Sequence, residues 1–106
     1  IDDVFDKKVK ALDALESQVY EGGANGSAIT LIQRKANDPV ARLEILKASW
    51  TGRNGRIADL FRDSLVKWYG AKEGKAVKTA EAFEICEYGR RPTETELKEL
   101  FPFFTK

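Results

Sequence analysis

Apolar residues recur along the first twenty positions as Phe5, Val9, Leu12, Leu15 and Val19, at steps of four, three, three and four. That rhythm puts one apolar stripe on a helix capped by Asp2 and Asp3, and it predicts a helix running to about Tyr20. Asp3 with Lys7 and Asp6 with Lys10 add acid-before-base pairs at spacing four on the solvated face. Residues 21–27 read Glu-Gly-Gly-Ala-Asn-Gly-Ser. Their glycines free the backbone and their apolar content gives no anchor, so a flexible glycine-rich loop is expected there. The stretch Ala28-Ile29-Thr30-Leu31-Ile32 is too short for periodicity to separate a strand from a helical turn.

Asp38-Pro39 predicts a helix start, since the aspartate accepts orphan amides and a proline at the first helical position has none to lose. Leu43, Leu46 and Trp50 form its stripe as far as Gly52-Arg53-Asn54-Gly55, where two glycines each cost about 1 kcal/mol against alanine and allow a bend. The pattern resumes with Ile57, Leu60, Phe61, Leu65, Trp68 and Tyr69, and Gly70 offers a C-cap. One long helix or two stacked ones satisfy this spacing. Glu73-Gly74 reads as punctuation, and Val77 to Cys86 as a short extended segment with Phe83 and Ile85 on one side. Thr93 and Glu96 form a capping box ahead of Leu97 and Leu100, and Pro102 stops this last helix. The apolar end Phe101-Pro102-Phe103-Phe104 needs a surface to cover it. The expected fold is mainly α, three to four helices with at most a short extended segment, in a single domain over 1–106.

Composition narrows the function classes. Hydrophobic residues make up 42% and charged residues 33%, inside the globular range. Lysine plus arginine number 18 and aspartate plus glutamate 17, and 18 − 17 leaves +1, too balanced for a polyanion partner such as nucleic acid. Residues 39–72 hold seven basic and three acidic groups, 7 − 3 = +4, while 81–106 hold four and six, 4 − 6 = −2. That asymmetry suits contacts within or between protein chains. No run approaches the roughly 18 apolar residues of a membrane span, and Ile1-Asp2-Asp3-Val4-Phe5 lacks the regions of a signal peptide. With Cys86 the one cysteine, no internal disulfide can form, and a cytoplasmic setting is expected.

The chain contains no histidine, the commonest zinc ligand and neutral-pH proton carrier. Cys86 then has no base to activate it, and a small buried hydrophobe is its expected role. Glu81, Glu84 and Glu87 are read as salt-bridging groups rather than a catalytic pair, because Glu84 faces away from the other two on an extended segment. Gly52-Arg53-Asn54-Gly55 matches a bare G-x-x-G loop but lacks the flanking strands of a nucleic-acid clamp. Asn25-Gly26-Ser27 matches a glycosylation acceptor with no sign of secretion beside it. Trp50 and Trp68 lie on apolar stripes and are expected in the core. Arg90 and Arg91, following Gly89, are the candidate anion-binding pair, since guanidinium forks grip carboxylate or phosphate.

Two longer stretches carry a resemblance: Asp6-Lys7-Lys8-Val9-Lys10-Ala11-Leu12-Asp13-Ala14-Leu15-Glu16-Ser17-Gln18, and Ala80 through Thr93 with Leu100-Phe101-Pro102-Phe103. Together with Arg56-Ile57-Ala58-Asp59 and the Tyr69-Gly70 helix end, they resemble the C-terminal part of PIG-L family (LmbE-like) N-acetylglucosaminyl deacetylases. The resemblance implies a piece of a Rossmann-like α/β fold whose zinc ligands and catalytic aspartate lie upstream of the matching region. None of those ligands has a counterpart here, and Leu15-Glu16 stands where the family often has a histidine before Ser-Gln. The expectation is a truncated, non-catalytic structural or protein-interaction module with no catalytic residues, no metal and no cofactor of its own. Its expected partner is a second copy or a missing N-terminal half. A C-terminal part of an active zinc-dependent deacetylase and a small anion-binding protein are the alternatives.

Overall fold

Asp38 caps the longest element, its Oδ1 accepting from the amides of Val40 at 3.1 Å and Ala41 at 3.2 Å, with Pro39 at the first helical position. The computed structural model describes residues 1–20 and 37–102. The expected glycine loop at 21–27, the undecided stretch 28–32 and the Phe103-Phe104 end lie outside the described residues. Among those described, the chain is mainly helical and has no strand. A 3-10 turn, Asp2–Val4, leads into α1 (Phe5–Asp13) and α2 (Glu16–Val19). Then come α3 (Pro39–Leu60), α4 (Arg62–Tyr69), α5 (Ala71–Ala76) and α6 (Glu94–Leu100).

The first predicted helix breaks in two at Ala14-Leu15, where Leu15 leaves helical geometry with ψ 60°. This shifts the stripe's phase. Phe5 and Val9 stay buried, Leu12 and Val19 lean on the same core, and Leu15 turns out to solvent. Leu46 and Tyr20 complete that core, with Leu43, Ile45 and Trp50 packed around it. The predicted pair Asp6 with Lys10 gives way to Asp6 with Lys47 of α3 at 2.6 Å, a bond that holds the Asp6 carboxyl below its ordinary value.

The long helix passes through Gly52 and Gly55 without interruption and ends only at Phe61. At Gly55 an added Cβ would meet the Lys78 carbonyl at 3.6 Å, so the 78–80 backbone lies against the helix there. Nothing lies within 4 Å of such a Cβ at Gly52, and the structure gives no reason for glycine at that position. Gly70 does end α4, with φ +86°, a conformation an L side chain rarely adopts. Glu73-Gly74, expected to break the chain, lies inside α5 instead. Gly74 packs so close to α4 that a Cβ would come within 2.6 Å of the Leu65 backbone. Arg62 fastens this corner, its Nη1 donating to the Gly74 carbonyl at 2.9 Å and the Val77 carbonyl at 2.7 Å, and its Nη2 to Asp59 at 2.8 Å. One guanidinium thereby satisfies carbonyls that the end of α5 leaves open.

Tyr20 gives the core a pH dependence. Burial and the hydrogen bond its hydroxyl donates to Asp13 Oδ1 push the phenol up to about 12 from 10.0. The folded state thus favours the neutral phenol. Its contribution is complete below the unfolded value and disappears as pH rises through the folded one. Stability should fall between pH 10 and 12 beyond what the other tyrosines cause, and Tyr20→Phe should remove that extra fall in urea titrations run across the range. An unchanged pH profile in the variant would show that Tyr20 ionises as it does in the unfolded chain.

The described residues form a flat body, 49 × 34 × 20 Å, with a radius of gyration of 16.9 Å. A compact chain of this length would come to about 13 Å. The excess reflects a thin core and the exposed residues 81–91.

Candidate functional site

The site grows from one polar side chain in the long helix. Leu46, Trp50, Asn54 and Ala58 follow at steps of four, so Asn54 points the same way as the apolar stripe, and it is only 1% exposed. A buried amide without partners would be costly, and Asn54 has three. Its Nδ2 donates to the Ala80 carbonyl at 2.7 Å, its Oδ1 accepts from Lys8 Nζ at 3.2 Å, and its own backbone carbonyl accepts from the Ala80 amide at 3.1 Å.

Asp2 grips the same stretch from the other side. One carboxylate oxygen accepts from the Lys78 amide at 2.9 Å, the other from the Thr79 amide at 2.7 Å and from the Thr79 hydroxyl. Burial alone would raise the Asp2 carboxyl, but these donors outweigh it and hold the group below its ordinary value. The Ile1 amino nitrogen adds a bond to the Thr79 carbonyl at 2.9 Å. Asp2 was expected to cap the first helix; it fastens residues more than seventy positions away instead. Lys8 completes the anchor by pairing with Glu81 while lying over the Trp50 ring at 4.8 Å.

Beyond this anchor the chain leaves the body. Residues 81–91 are all exposed, and Phe83 and Tyr88 stand 89% and 94% open to solvent. The segment expected to be extended, Val77 to Cys86, lies outside any helix and pairs with no strand among the described residues. Cys86, expected to be buried, is exposed because the backbone carrying it rests on nothing described. The two tryptophans, placed in the core by the sequence, are half-buried. Trp50 rests against the core and Trp68 lies under Lys67 at 5.2 Å.

Arg90 donates to Glu96 at 2.6 Å, and Arg91 is exposed with no ion pair among the described residues. Glu96 in turn completes the predicted capping box with Thr93, and those two partners hold its carboxyl below the ordinary value. Of the three glutamates read as salt-bridging, Glu81 pairs with Lys8 while Glu84 and Glu87 form no ion pair among the described residues.

A half-open cleft of about 230 Å³ lies beside the anchor, walled by Leu65, Tyr69, Val77 and Ala80 with Glu73 and Glu81 at its rim. Its lining holds neither serine nor cysteine.

The zinc that the PIG-L resemblance implies does not fit this chain's donors. There is no histidine, Cys86 is solitary, and among the described residues no three carboxylate or thiol side chains gather at one point. Among the described residues no helix is long and apolar enough to cross a membrane. No protein-family model, no curated protein and no solved structure matches the chain.

Asn54 was missed by reading the stripe through the glycines as an interruption. The signal was present in the step of four from Leu46 through Trp50 to Asn54, a polar residue in an apolar row.

Proposed function

We propose that this chain is a non-catalytic protein-interaction module, corresponding to the C-terminal part of a PIG-L-like deacetylase and completed by another protein surface. The observation that supports it is the distribution of large apolar side chains. Val40, Leu60, Phe61, Phe83, Ile85, Tyr88 and Leu100 are all exposed, while among the described residues the large apolar side chains that are buried are Phe5, Val9, Tyr20 and Leu46. Each buried side chain of this size is worth about 1.5–3 kcal/mol, so leaving more outside than inside gives up a stabilisation that contact with a partner recovers. The charge asymmetry, +4 over 39–72 against −2 over 81–106, suits association between copies or with a complementary chain.

Light scattering on the isolated chain, with metal content measured on the same sample, tests the reading. A metal-free dimer or larger particle is expected against the monomer mass of 11.9 kDa. A well-folded monomer that persists at high concentration overturns the interaction role. Zinc-dependent deacetylation of an N-acetyl amino sugar by the chain overturns its non-catalytic character.

A further inference from the structure

The exposed segment after α5 is suspended between two fixed points. Its start is pinned where Asn54 takes both the amide and the carbonyl of Ala80. Its end is held where Arg90 reaches Glu96 in the first turn of α6. Between them, no backbone amide or carbonyl of residues 81–85 makes a hydrogen bond among the described residues, and a turn at 87–88 ends the open run. The sequence here, Glu-Ala-Phe-Glu-Ile-Cys-Glu-Tyr, alternates so that Phe83 and Ile85 would share one face of a strand while Glu84 would lie on the other. An exposed run of unpaired backbone groups with β-favouring side chains is a template for pairing with another strand.

Charge decides what that strand belongs to. In an antiparallel pair, residues directly opposite share a face, and like charges there destabilise. If two copies of this segment pair so that Phe83 of one faces Ile85 of the other, Glu84 faces Glu84 and Glu81 faces Glu87. A parallel in-register pair sets every glutamate beside its own copy. Glu81 is already neutralised by Lys8, which leaves the Glu84 and Glu87 carboxylates to be matched. Glu84 and Glu87 would lie on opposite faces of a strand, so an alternating partner can match Glu84 alone, and Glu84 favours a strand that offers positive charge on that face.

We infer that residues 81–86 add as a strand to the open sheet edge of a partner protein whose edge strand sets a basic side chain opposite Glu84 and apolar ones opposite Phe83 and Ile85. This rests on the interaction-module reading and specifies its mode: main-chain hydrogen bonds supply the affinity, and Phe83, Ile85 and Glu84 set the register.

The probe is a fluorescent eight-residue peptide of alternating lysine and valine, with a glutamate–valine peptide of the same length as control. The lysine peptide should bind the full chain about tenfold or more tighter than the control. In the double variant Ala82→Pro with Ile85→Pro, one amide is lost from each edge of the segment while every charge stays. Binding should weaken about tenfold or more there. The variant's unfolding midpoint should match that of the parent, because residues 81–91 are all exposed. Equal binding by the proline variant, equal binding of the two peptides, or no binding of the lysine peptide at millimolar concentration each overturns strand addition. Light scattering on the same samples separates the two readings, since self-association that survives the loss of peptide binding leaves the module reading standing.

Discussion

Asn54→Ala should lower the chain's stability by about 2–3 kcal/mol, the range for stripping a buried carbonyl of its donor while also removing side-chain volume. Ala80 is buried, so its carbonyl cannot turn to water once the Asn54 amide is gone. Lys8 keeps Glu81 and the face of Trp50, so the charge itself remains paired. The loss therefore falls on the backbone of residues 78–80. Urea denaturation should show it as a lower midpoint. Limited trypsin digestion should cut after Lys78 earlier than in the parent chain, before global unfolding. Asn54→Asp makes a sharper comparison, because it keeps the volume and the Lys8 contact yet sets a carboxylate oxygen against the Ala80 carbonyl. It should destabilise at least as much as alanine. A midpoint unchanged in both variants would mean that Asp2 alone fastens the segment.

Gly74→Ala should destabilise by about 2 kcal/mol, and the direction follows from comparing two opposed effects. Alanine in place of a helical glycine gains about 1 kcal/mol from helix propensity. Against this, the new Cβ would lie 2.6 Å from the carbonyl carbon and oxygen of Leu65 and from the Val66 nitrogen. These are backbone atoms of a packed helix and cannot swing aside, so α4 and α5 have to separate. Overpacking of this kind costs about 1–3 kcal/mol or somewhat more, and separation also lengthens the bonds from Arg62 to the Gly74 and Val77 carbonyls. Gly52→Ala is the matched control. With nothing within 4 Å of its Cβ, it should raise stability by about 0.5–1 kcal/mol. Thermal unfolding of both variants beside the parent reads the opposite signs directly. If Gly74→Ala stabilised the chain as Gly52→Ala does, the close approach of the two helices would be refuted.

What the sequence made legible was local. The Asp38-Pro39 start, the Thr93 and Glu96 capping box and the Gly70 end each depend on side chains and backbone within four residues, and all three appear as read. Glycine was harder, because its meaning depends on what approaches it. Gly55 and Gly74 look like breaks in the sequence, yet each sits inside a helix where another piece of backbone comes close. Leu15 carried no breaker at all, and the end of α1 before it follows from no rule of spacing. The site was least legible. Asp2 is a good capping residue by type, but its carboxylate serves amides seventy-six and seventy-seven positions on, a choice that no local pattern encodes. Burial of both tryptophans was expected from their apolar stripes and they are half-buried, whereas burial of Cys86 was expected from its chemistry. Type does not show that a segment lies away from the body.

The bond between Asp2 and Thr79 also sets an order of events in folding. The α4–α5 corner closes within fifteen residues, as the reach of Arg62 to Val77 shows, so it can form on the microsecond scale of local helical contacts. The Asp2 contact closes a loop of seventy-seven residues and must pay the entropy of that closure first. During synthesis at about 5–20 residues per second, the N-terminal turn therefore waits several seconds for residue 79 to leave the ribosome. For that interval the Asp2 carboxylate is without its partners, and the turn at Asp2–Val4 settles only after the α4–α5 corner has closed.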